Sequence, residues 1–163
     1  MHYCASNATF VLCLFTNACA KRLKMSTEKT NIFIVDDNQL MVAALKQYLQ
    51  NKFGESIEIT TFNDGESCIK MVHKDLHIVI LDYLMAGKNG LDTLKAIKLT
   101  NPKTTVIMLS GNEDIALAIE SFRAGAKDYV VKGTDAWKKL TNLLTDIIKK
   151  PLRFIVKGFG GSK

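Results

Sequence analysis

Polar side chains that could do chemistry follow four short aliphatic runs of this sequence. Asp36 and Asp37 follow NIFIV, Asp82 follows LHIVIL, Ser110 follows TTVIML and Lys132 follows DYVV. Carboxylates coordinate divalent cations, while a hydroxyl and an ammonium donate hydrogen bonds to anionic oxygens. These residue types therefore predict a site for a metal ion, provided that the fold brings them together.

The pattern of the chain predicts such a fold. Five aliphatic runs alternate with stretches whose apolar residues recur at helical spacing. This order favours an α/β fold in which one parallel sheet is covered by helices on both faces, and strands buried on both sides read as aliphatic runs. In such sheets, ligand-binding and catalytic residues lie at the carboxyl ends of the strands. The predicted strands span 31–35, 57–62, 76–81, 104–109 and 128–131.

Electrostatics then predicts a cation. If the first and third strands are neighbours, their ends lie about 4.8 Å apart and three carboxylates share a small volume. Two unit charges about 4 Å apart repel by roughly 4 kcal/mol at an effective dielectric of about 20. A divalent cation removes this conflict, and an all-oxygen site suits Mg²⁺ or Mn²⁺ better than zinc. Lys132 can lean toward Asp82, and Ser110 can donate a hydrogen bond into the site.

Each of these residues alone also fits an ordinary structural role. An aspartate or serine at a strand end often caps the next helix, and a lysine there can simply be solvated. Their convergence on four strand ends favours the functional interpretation.

Composition and charge exclude several other classes of protein. The chain has 163 residues, of which 47% are hydrophobic and 23% charged, as expected for one globular domain. Its net charge of +6 comes from residues 1–25 and 151–163, which carry basic residues and no acidic ones. The middle of the chain is neutral, so the charge does not predict nucleic-acid binding, which needs basic residues clustered on one folded face.

The cysteines indicate neither a disulfide scaffold nor a zinc site, because no CxxC spacing occurs among Cys4, Cys13, Cys19 and Cys68. Cys68 lies among apolar helical positions, which favours a small buried hydrophobe over a reactive thiol.

Both ends are predicted to lie outside the domain. Residues 1–28 are interpreted as a disordered leader or a mis-set start, with Met25 as the natural start and a signal or membrane anchor as the alternative. The apolar run at 8–20 has no preceding basic residue and is shorter than the roughly 20 residues that span a bilayer. Residues 151–163, which begin with the helix-stopping Pro151, are interpreted as a frayed basic and apolar tail, with a lipid-surface or partner contact as the alternative. We expect no membrane span and a cytoplasmic location.

The acidic pair, the third-strand aspartate, the hydroxyl and the lysine appear in the order found in receiver domains of two-component response regulators. Residues 29–150 resemble this family, in particular single-domain, chemotaxis-receiver-like members. The resemblance implies a flavodoxin-like receiver fold with the sheet order 2-1-3-4-5. It also implies a phosphorelay function, in which a sensor histidine kinase or phosphotransfer protein donates a phosphoryl group and the receiver signals to a downstream protein.

The resemblance assigns a role to each residue of the site. Asp82 resembles the phosphoacceptor, Asp37 the direct Mg²⁺ ligand, Asp36 its partner through water, and the Leu84 backbone carbonyl a further ligand.

Three further residues resemble those that respond to the phosphoryl group. Ser110 corresponds to the hydroxyl that turns toward it, Lys132 to the cation that pairs with it, and Tyr129 to an aromatic switch that turns inward on phosphorylation. A homodimer through the fourth and fifth helices is a further possibility.

Two positions depart from the family pattern. Ala86 replaces the usual proline in the loop after Asp82, and Gly133 replaces the usual proline after Lys132. These departures leave open a pseudo-receiver that binds partners without phosphate. Another alternative is the receiver half of a transcription factor.

A haloacid-dehalogenase-type phosphatase is disfavoured, because Leu84 occupies the position of that family's second aspartate. We therefore expect no enzyme activity beyond the protein's own phosphorylation and dephosphorylation.

Overall fold

The computed structural model describes residues 29–85 and 89–148. The predicted leader 1–28, Ala86 and the predicted tail 151–163 lie outside these residues. Within the described residues, the five predicted aliphatic runs are all strands. No strand begins or ends more than two residues from its predicted boundary. The strands are β1 (Thr30–Val35), β2 (Ile57–Phe62), β3 (Ile78–Asp82), β4 (Thr105–Ser110) and β5 (Asp128–Val131).

Helices follow the strands as the periodicity predicts. A short 3₁₀ turn, Gly54–Ser56, joins the first helix to β2. The helices are α1 (Gln39–Phe53), α2 (Gly65–Met71), α3 (Gly90–Thr100), α4 (Ile115–Arg123) and α5 (Ala136–Ile148).

Short polar side chains fix where four of these helices begin. Each accepts a hydrogen bond from a backbone N–H of the first turn, which would otherwise lack a partner. The capping residues are Asn38 for α1, Asp64 for α2, Asn89 for α3 and Asp114 for α4.

The strands form one parallel sheet in the order β2-β1-β3-β4-β5, which confirms the predicted order. In this register Val35 of β1 pairs with Leu81 of β3, and Asp82 pairs with Leu109 of β4. The carboxyl ends of β1, β3, β4 and β5 therefore meet at one edge of the sheet, which we call the carboxyl edge.

Two apolar cores confirm that the sheet is covered on both faces. One core packs β-strand residues such as Ile34 and Ile80 against α1 and α5. The other packs residues such as Val79 and Met108 against the side that carries α2, α3 and α4. This double burial explains why the strands are aliphatic throughout rather than alternating.

Cys68 lies in the second core with no exposed surface, as predicted. Burial raises the pKa of its thiol to about 12, so the side chain behaves as a small hydrophobe. Among the described residues, none of the helices combines the length and apolar character required to cross a bilayer.

Candidate functional site

Three carboxylates converge at the carboxyl edge. Asp36 directly follows β1 and Asp82 ends β3, so the β1–β3 pairing makes them neighbours, and Asp37 comes one residue later. One carboxylate oxygen from each residue lies within 4.8 Å of the others. Asp36 and Asp82 are buried, with 3% and 4% of their surface exposed, whereas Asp37 faces solvent.

Lys132 provides the positive charge in this cluster. Its Nζ lies 2.8 Å from Asp36 Oδ2 and 2.9 Å from Asp82 Oδ1, so it bridges the two buried carboxylates. Its backbone N–H donates to the Ser110 carbonyl, which anchors the residue to the end of β4. The structure thus brings Lys132 across to Asp82, as the sequence predicted.

The ionisation of the pair follows from burial and from the ion contacts. Burial raises the pKa of Asp82, and the Lys132 ammonium only partly opposes this effect. Burial acts to lower the pKa of Lys132, but the two carboxylates outweigh it and raise that pKa above its ordinary value. Lys132 therefore stays charged at neutral pH.

A buried oxygen of Asp82 lacks a hydrogen bond. Asp82 Oδ1 lies within ion-pair distance of Lys132 Nζ but accepts no hydrogen bond from any group in the described residues. Two of the three clustered carboxylates, those of Asp36 and Asp82, share the Lys132 ammonium. An under-coordinated carboxylate oxygen in an all-oxygen cluster of this charge fits a hard divalent cation such as Mg²⁺.

The remaining predicted residues lie at the ends of β4 and β5. Ser110 is fully buried, and its Oγ accepts a hydrogen bond from the Asn112 N–H at 3.1 Å. Tyr129 is 7% exposed, and its hydroxyl donates to the Asn112 carbonyl at 2.9 Å. The ring expected to turn inward on phosphorylation is thus already buried in this structure.

Asn112 is a residue that the sequence reasoning missed. It accepts the Tyr129 hydroxyl bond and donates to Ser110, so it links the end of β4 to β5 just before α4 begins. The only sequence signal was its place in SGNED, which is typical of a turn.

The loop after Asp82 depends on a glycine that was also missed. The Gly90 N–H donates to the Tyr83 carbonyl at 2.9 Å. A Cβ added at Gly90 would lie 2.1 Å from the Asp82 carbonyl oxygen. Only glycine therefore allows the first turn of α3 to approach the backbone of Asp82 this closely.

Two predicted positions are less constrained. The Leu84 side chain, two residues after Asp82, is 60% exposed, and the metal-ligand role assigned to its carbonyl stays a prediction. A Cβ at Gly133 would meet nothing within 4 Å. The departure at Gly133 does not displace Lys132, because that side chain is held by Asp36 and Asp82.

The family model for the response regulator receiver domain matches residues 32–145 of this chain. The chain belongs to the response regulator receiver domain family. Receiver domains of two-component response regulators share this fold, which confirms the family proposed from the sequence. The chemical roles of the individual site residues in this receiver domain stay predictions.

Curated relatives include two transcriptional regulatory proteins. ZraR of Klebsiella oxytoca is 31% identical over 112 residues, which are 68% of this chain and 25% of that protein. CpxR of Escherichia coli is 33% identical over 101 residues, or 62% of this chain and 42% of that protein. The chain thus spans less than half the length of either relative.

Solved structures include two similar response regulators. The OmpR/PhoB homologue DrrB of Thermotoga maritima matches with a TM-score of 0.66 and 27% identity, over 76% of this chain and 54% of that one. CheY in the CheX-CheY-BeF3-Mg complex of Borrelia burgdorferi matches with a TM-score of 0.63 and 30% identity, over 71% and 87% of the two chains.

Proposed function

We propose that this receiver domain accepts a phosphoryl group on Asp82 and passes the signal on through protein contacts. The observation that carries the proposal is the buried Asp82 carboxylate, which has an oxygen without a hydrogen bond and lies beside two further carboxylates and Lys132. Burial of such a group costs free energy, so a purely structural role would not explain it.

The proposed reaction transfers a phosphoryl group from a histidine nitrogen of the donor to a carboxylate oxygen of Asp82. A carboxylate oxygen of Asp82 attacks the phosphorus of a phosphohistidine on a sensor kinase or phosphotransfer protein. The new O–P bond forms as the P–N bond breaks, and the imidazole leaves with the bonding electrons. Lys132 neutralises charge on the phosphoryl oxygens, and the Ser110 hydroxyl donates a hydrogen bond to one of them.

The acidic cluster would hold the metal. Asp36, Asp37, Asp82 and the Leu84 carbonyl are the proposed ligands of Mg²⁺, with Mn²⁺ as a substitute. When bound, the cation neutralises the carboxylates and the charge that develops on the phosphoryl oxygens. The exposed carboxylate of Asp37 leaves this side of the cluster open to solvent and to a phosphodonor.

The signal would leave the site through Asn112. In this structure the Ser110 Oγ accepts a hydrogen bond from the Asn112 N–H. A phosphoryl group that accepts a hydrogen bond from the Ser110 hydroxyl would compete with Asn112 for this side chain. The same Asn112 carbonyl holds the Tyr129 hydroxyl, so this movement reaches the start of α4. The expected output is a changed protein-binding surface around α4 and β5.

The receiver is not expected to turn over external substrates. The receiver fold takes up all described residues, so a transcriptional output like that named for CpxR would need residues outside it. We propose that this domain acts through a downstream protein, in the cytoplasm where its kinase partner would phosphorylate it.

The proposal is tested by intact-mass spectrometry after incubation of the full chain with MgCl₂ and acetyl phosphate. The expected result is a gain of one phosphoryl group that EDTA prevents and Asp82→Asn abolishes. Asp75→Asn, an exposed aspartate at the opposite edge of the sheet, is the matched control and should gain the group normally.

Two results would contradict the assignment. A full mass gain in Asp82→Asn would place the acceptor elsewhere. No gain in the wild-type chain with either acetyl phosphate or a phosphorylated histidine donor would favour the pseudo-receiver. Sustained release of phosphate from an external phosphate ester would instead favour the phosphatase alternative.

A further inference from the structure

The first residue of α3 lies directly behind the main chain of Asp82. A Cβ added at Gly90 would lie 2.1 Å from the Asp82 carbonyl oxygen and 2.8 Å from the Tyr83 Cα. Cβ atoms in proteins essentially never approach another heavy atom closer than 3.0 Å, so the two segments would have to separate by roughly 1 Å. Rotation of a side chain does not provide this space, because the three nearest atoms all belong to the backbone.

Helix α3 is held against the sheet and has little freedom to retreat. Its inner face lies in the second apolar core, where Leu94 and Ile97 have no exposed surface. The Gly90 N–H also donates to the Tyr83 carbonyl at 2.9 Å, which ties the first turn of α3 to the chain just after Asp82. A movement of the whole helix would therefore disrupt the core as well as this bond.

The peptide between Asp82 and Tyr83 is the weaker side of the contact. Asp82 is the last residue of β3, and the Tyr83 N–H is tied to β4 by a bond of 3.2 Å to the Leu109 carbonyl. An added Cβ is therefore expected to tilt this peptide and to carry the Asp82 side chain with it. Because an oxygen of that side chain lies 2.9 Å from Lys132 Nζ, a movement of about 1 Å would change both this ion contact and the direction in which the oxygen meets a phosphorus.

We propose that Gly90 is a positioning residue for phosphoryl transfer to Asp82. The absence of a side chain lets the first turn of α3 support the Asp82 main chain from behind, and this support sets the position from which the carboxylate attacks phosphorus. The inference rests on the proposed function and adds to it a residue that supplies no group to the reaction itself. A nucleophile misplaced by about 1 Å can slow a reaction by about 100-fold.

The chain offers a matched control at the first residue of α2. A Cβ at Gly65 would lie 2.1 Å from Thr93 Oγ1, the same distance as the nearest contact at Gly90, and its three nearest atoms all belong to the Thr93 side chain. Both glycines directly follow the capping residue of their helix. Gly65→Ala therefore introduces an equally close contact at an equivalent helix position, but it presses on a side chain of α3 and not on the Asp82 main chain.

The test measures phosphorylation of the full-length chain by intact mass, with MgCl₂ and either acetyl phosphate or phosphoramidate as the donor. Gly90→Ala should slow the gain of one phosphoryl group by about 100-fold with both donors, because the misplaced carboxylate is common to both reactions. Gly65→Ala should react at about the wild-type rate. Urea denaturation at the assay temperature establishes that each variant is folded.

A spectroscopic measurement separates positioning from a general loss of stability. The side-chain carboxyl ¹³C resonance of Asp82 is recorded in EDTA and assigned by its absence in Asp82→Asn. It should shift by more than its linewidth in Gly90→Ala and stay in place in Gly65→Ala, even if the two variants lose similar stability.

A milder pair of variants applies if Gly90→Ala does not fold. Asn89→Ala removes the side chain that caps α3 and loosens the turn that contains Gly90, whereas Asp64→Ala removes the corresponding cap of α2. Asn89→Ala should be phosphorylated more slowly than Asp64→Ala, by the same factor with both donors.

Three results overturn the inference and leave the proposed function standing. They are a folded Gly90→Ala that reacts as fast as Gly65→Ala, an Asp82 resonance that does not move in Gly90→Ala, and equal rates in the two capping variants. Slowing with only one donor also overturns it, because Gly90 would then affect donor binding. No phosphorylation of the wild-type chain by either donor would overturn the proposed function, and this inference with it.

Discussion

Polar residues lie at both edges of the sheet, but their burial and their hydrogen bonding differ between the two edges. At the carboxyl edge, Asp36 and Asp82 are buried charges, and one oxygen of Asp82 accepts no hydrogen bond. At the amino edge, half-buried Asn31 and exposed His77 form hydrogen bonds in which at least one partner is a backbone group. The Asn31 N–H donates to His77 Nδ1 at 3.1 Å, and the His77 N–H donates to the Asn31 carbonyl at 3.2 Å.

The difference separates structural polar residues from functional ones. The amino-edge side chains extend the strand pairing through hydrogen bonds to neighbouring backbone groups. The buried carboxylates of Asp36 and Asp82 share one ammonium, and Asp82 Oδ1 accepts no hydrogen bond within the described residues. A buried group that the fold does not satisfy is therefore the better marker of function here than the presence of polar residues.

The largest expected effect comes from removing the ammonium. Lys132→Met leaves Asp36 and Asp82 buried side by side without a counter-charge. We expect the free energy of unfolding in EDTA at pH 7 to fall by about 3 kcal/mol, the lower end for breaking a buried pair, since Lys132 is partly exposed. Urea denaturation measures this value, and a loss as small as that of a surface substitution would contradict the burial argument.

Magnesium should act only at the carboxyl edge. At a concentration of about 100 times its dissociation constant, Mg²⁺ should stabilise the wild-type chain by about 2.7 kcal/mol, which follows from mass action. Asp37→Asn removes an exposed carboxylate and should weaken Mg²⁺ binding by about tenfold or more, or about 1.4 kcal/mol. Thermal unfolding with and without Mg²⁺ provides the measurement, with Ca²⁺-free buffer and Asp75→Asn as controls.

Neutralising Asp82 should stabilise the protein in EDTA. Burial raises the pKa of Asp82, so the folded chain binds its proton more readily than the unfolded chain does. The wild-type chain therefore loses stability as the pH rises through this interval, whereas Asp82→Asn does not. We expect Asp82→Asn to be more stable by about 1 kcal/mol at pH 7, with the gain vanishing below about pH 4. A gain that grew toward low pH would have the wrong sign.

The smallest effect should come from the amino edge. His77→Ala removes the acceptor for the Asn31 N–H but leaves the backbone bond between these residues. Because the site is exposed and water can replace the imidazole, we expect a loss of about 0.5 kcal/mol by urea denaturation. Phosphoryl transfer to Asp82 should be unchanged. A loss approaching that of Lys132→Met would remove the distinction between the two edges.

The sequence predicted the architecture because the architecture depends on local patterns. Aliphatic runs alternating with helical periodicity predicted all five strands and the double cover of the sheet. The order 2-1-3-4-5 came from the family resemblance, since strand periodicity does not identify neighbours. The end of β3 was predicted one residue early, because Asp82 continues the pairing with Leu109 despite its charge.

The contacts that distinguish the site were less predictable. Nothing local indicated that Lys132 would bridge Asp36 as well as Asp82, or that Asn112 would accept the Tyr129 hydroxyl. The close approach of Gly90 to the Asp82 carbonyl was equally hidden. These contacts join residues that lie eight to almost a hundred positions apart, and such distances are set by packing rather than by sequence spacing.

The sequence by itself determined which chemical groups stand at the strand ends, because hydrophobic patterning decides where each buried strand stops and polar residues begin. The tertiary structure decided which of these groups are buried, which are paired and which buried oxygen accepts no hydrogen bond. Burial and pairing depend on the parallel register of β1, β3, β4 and β5, which assembles the carboxyl edge from four separate parts of the chain.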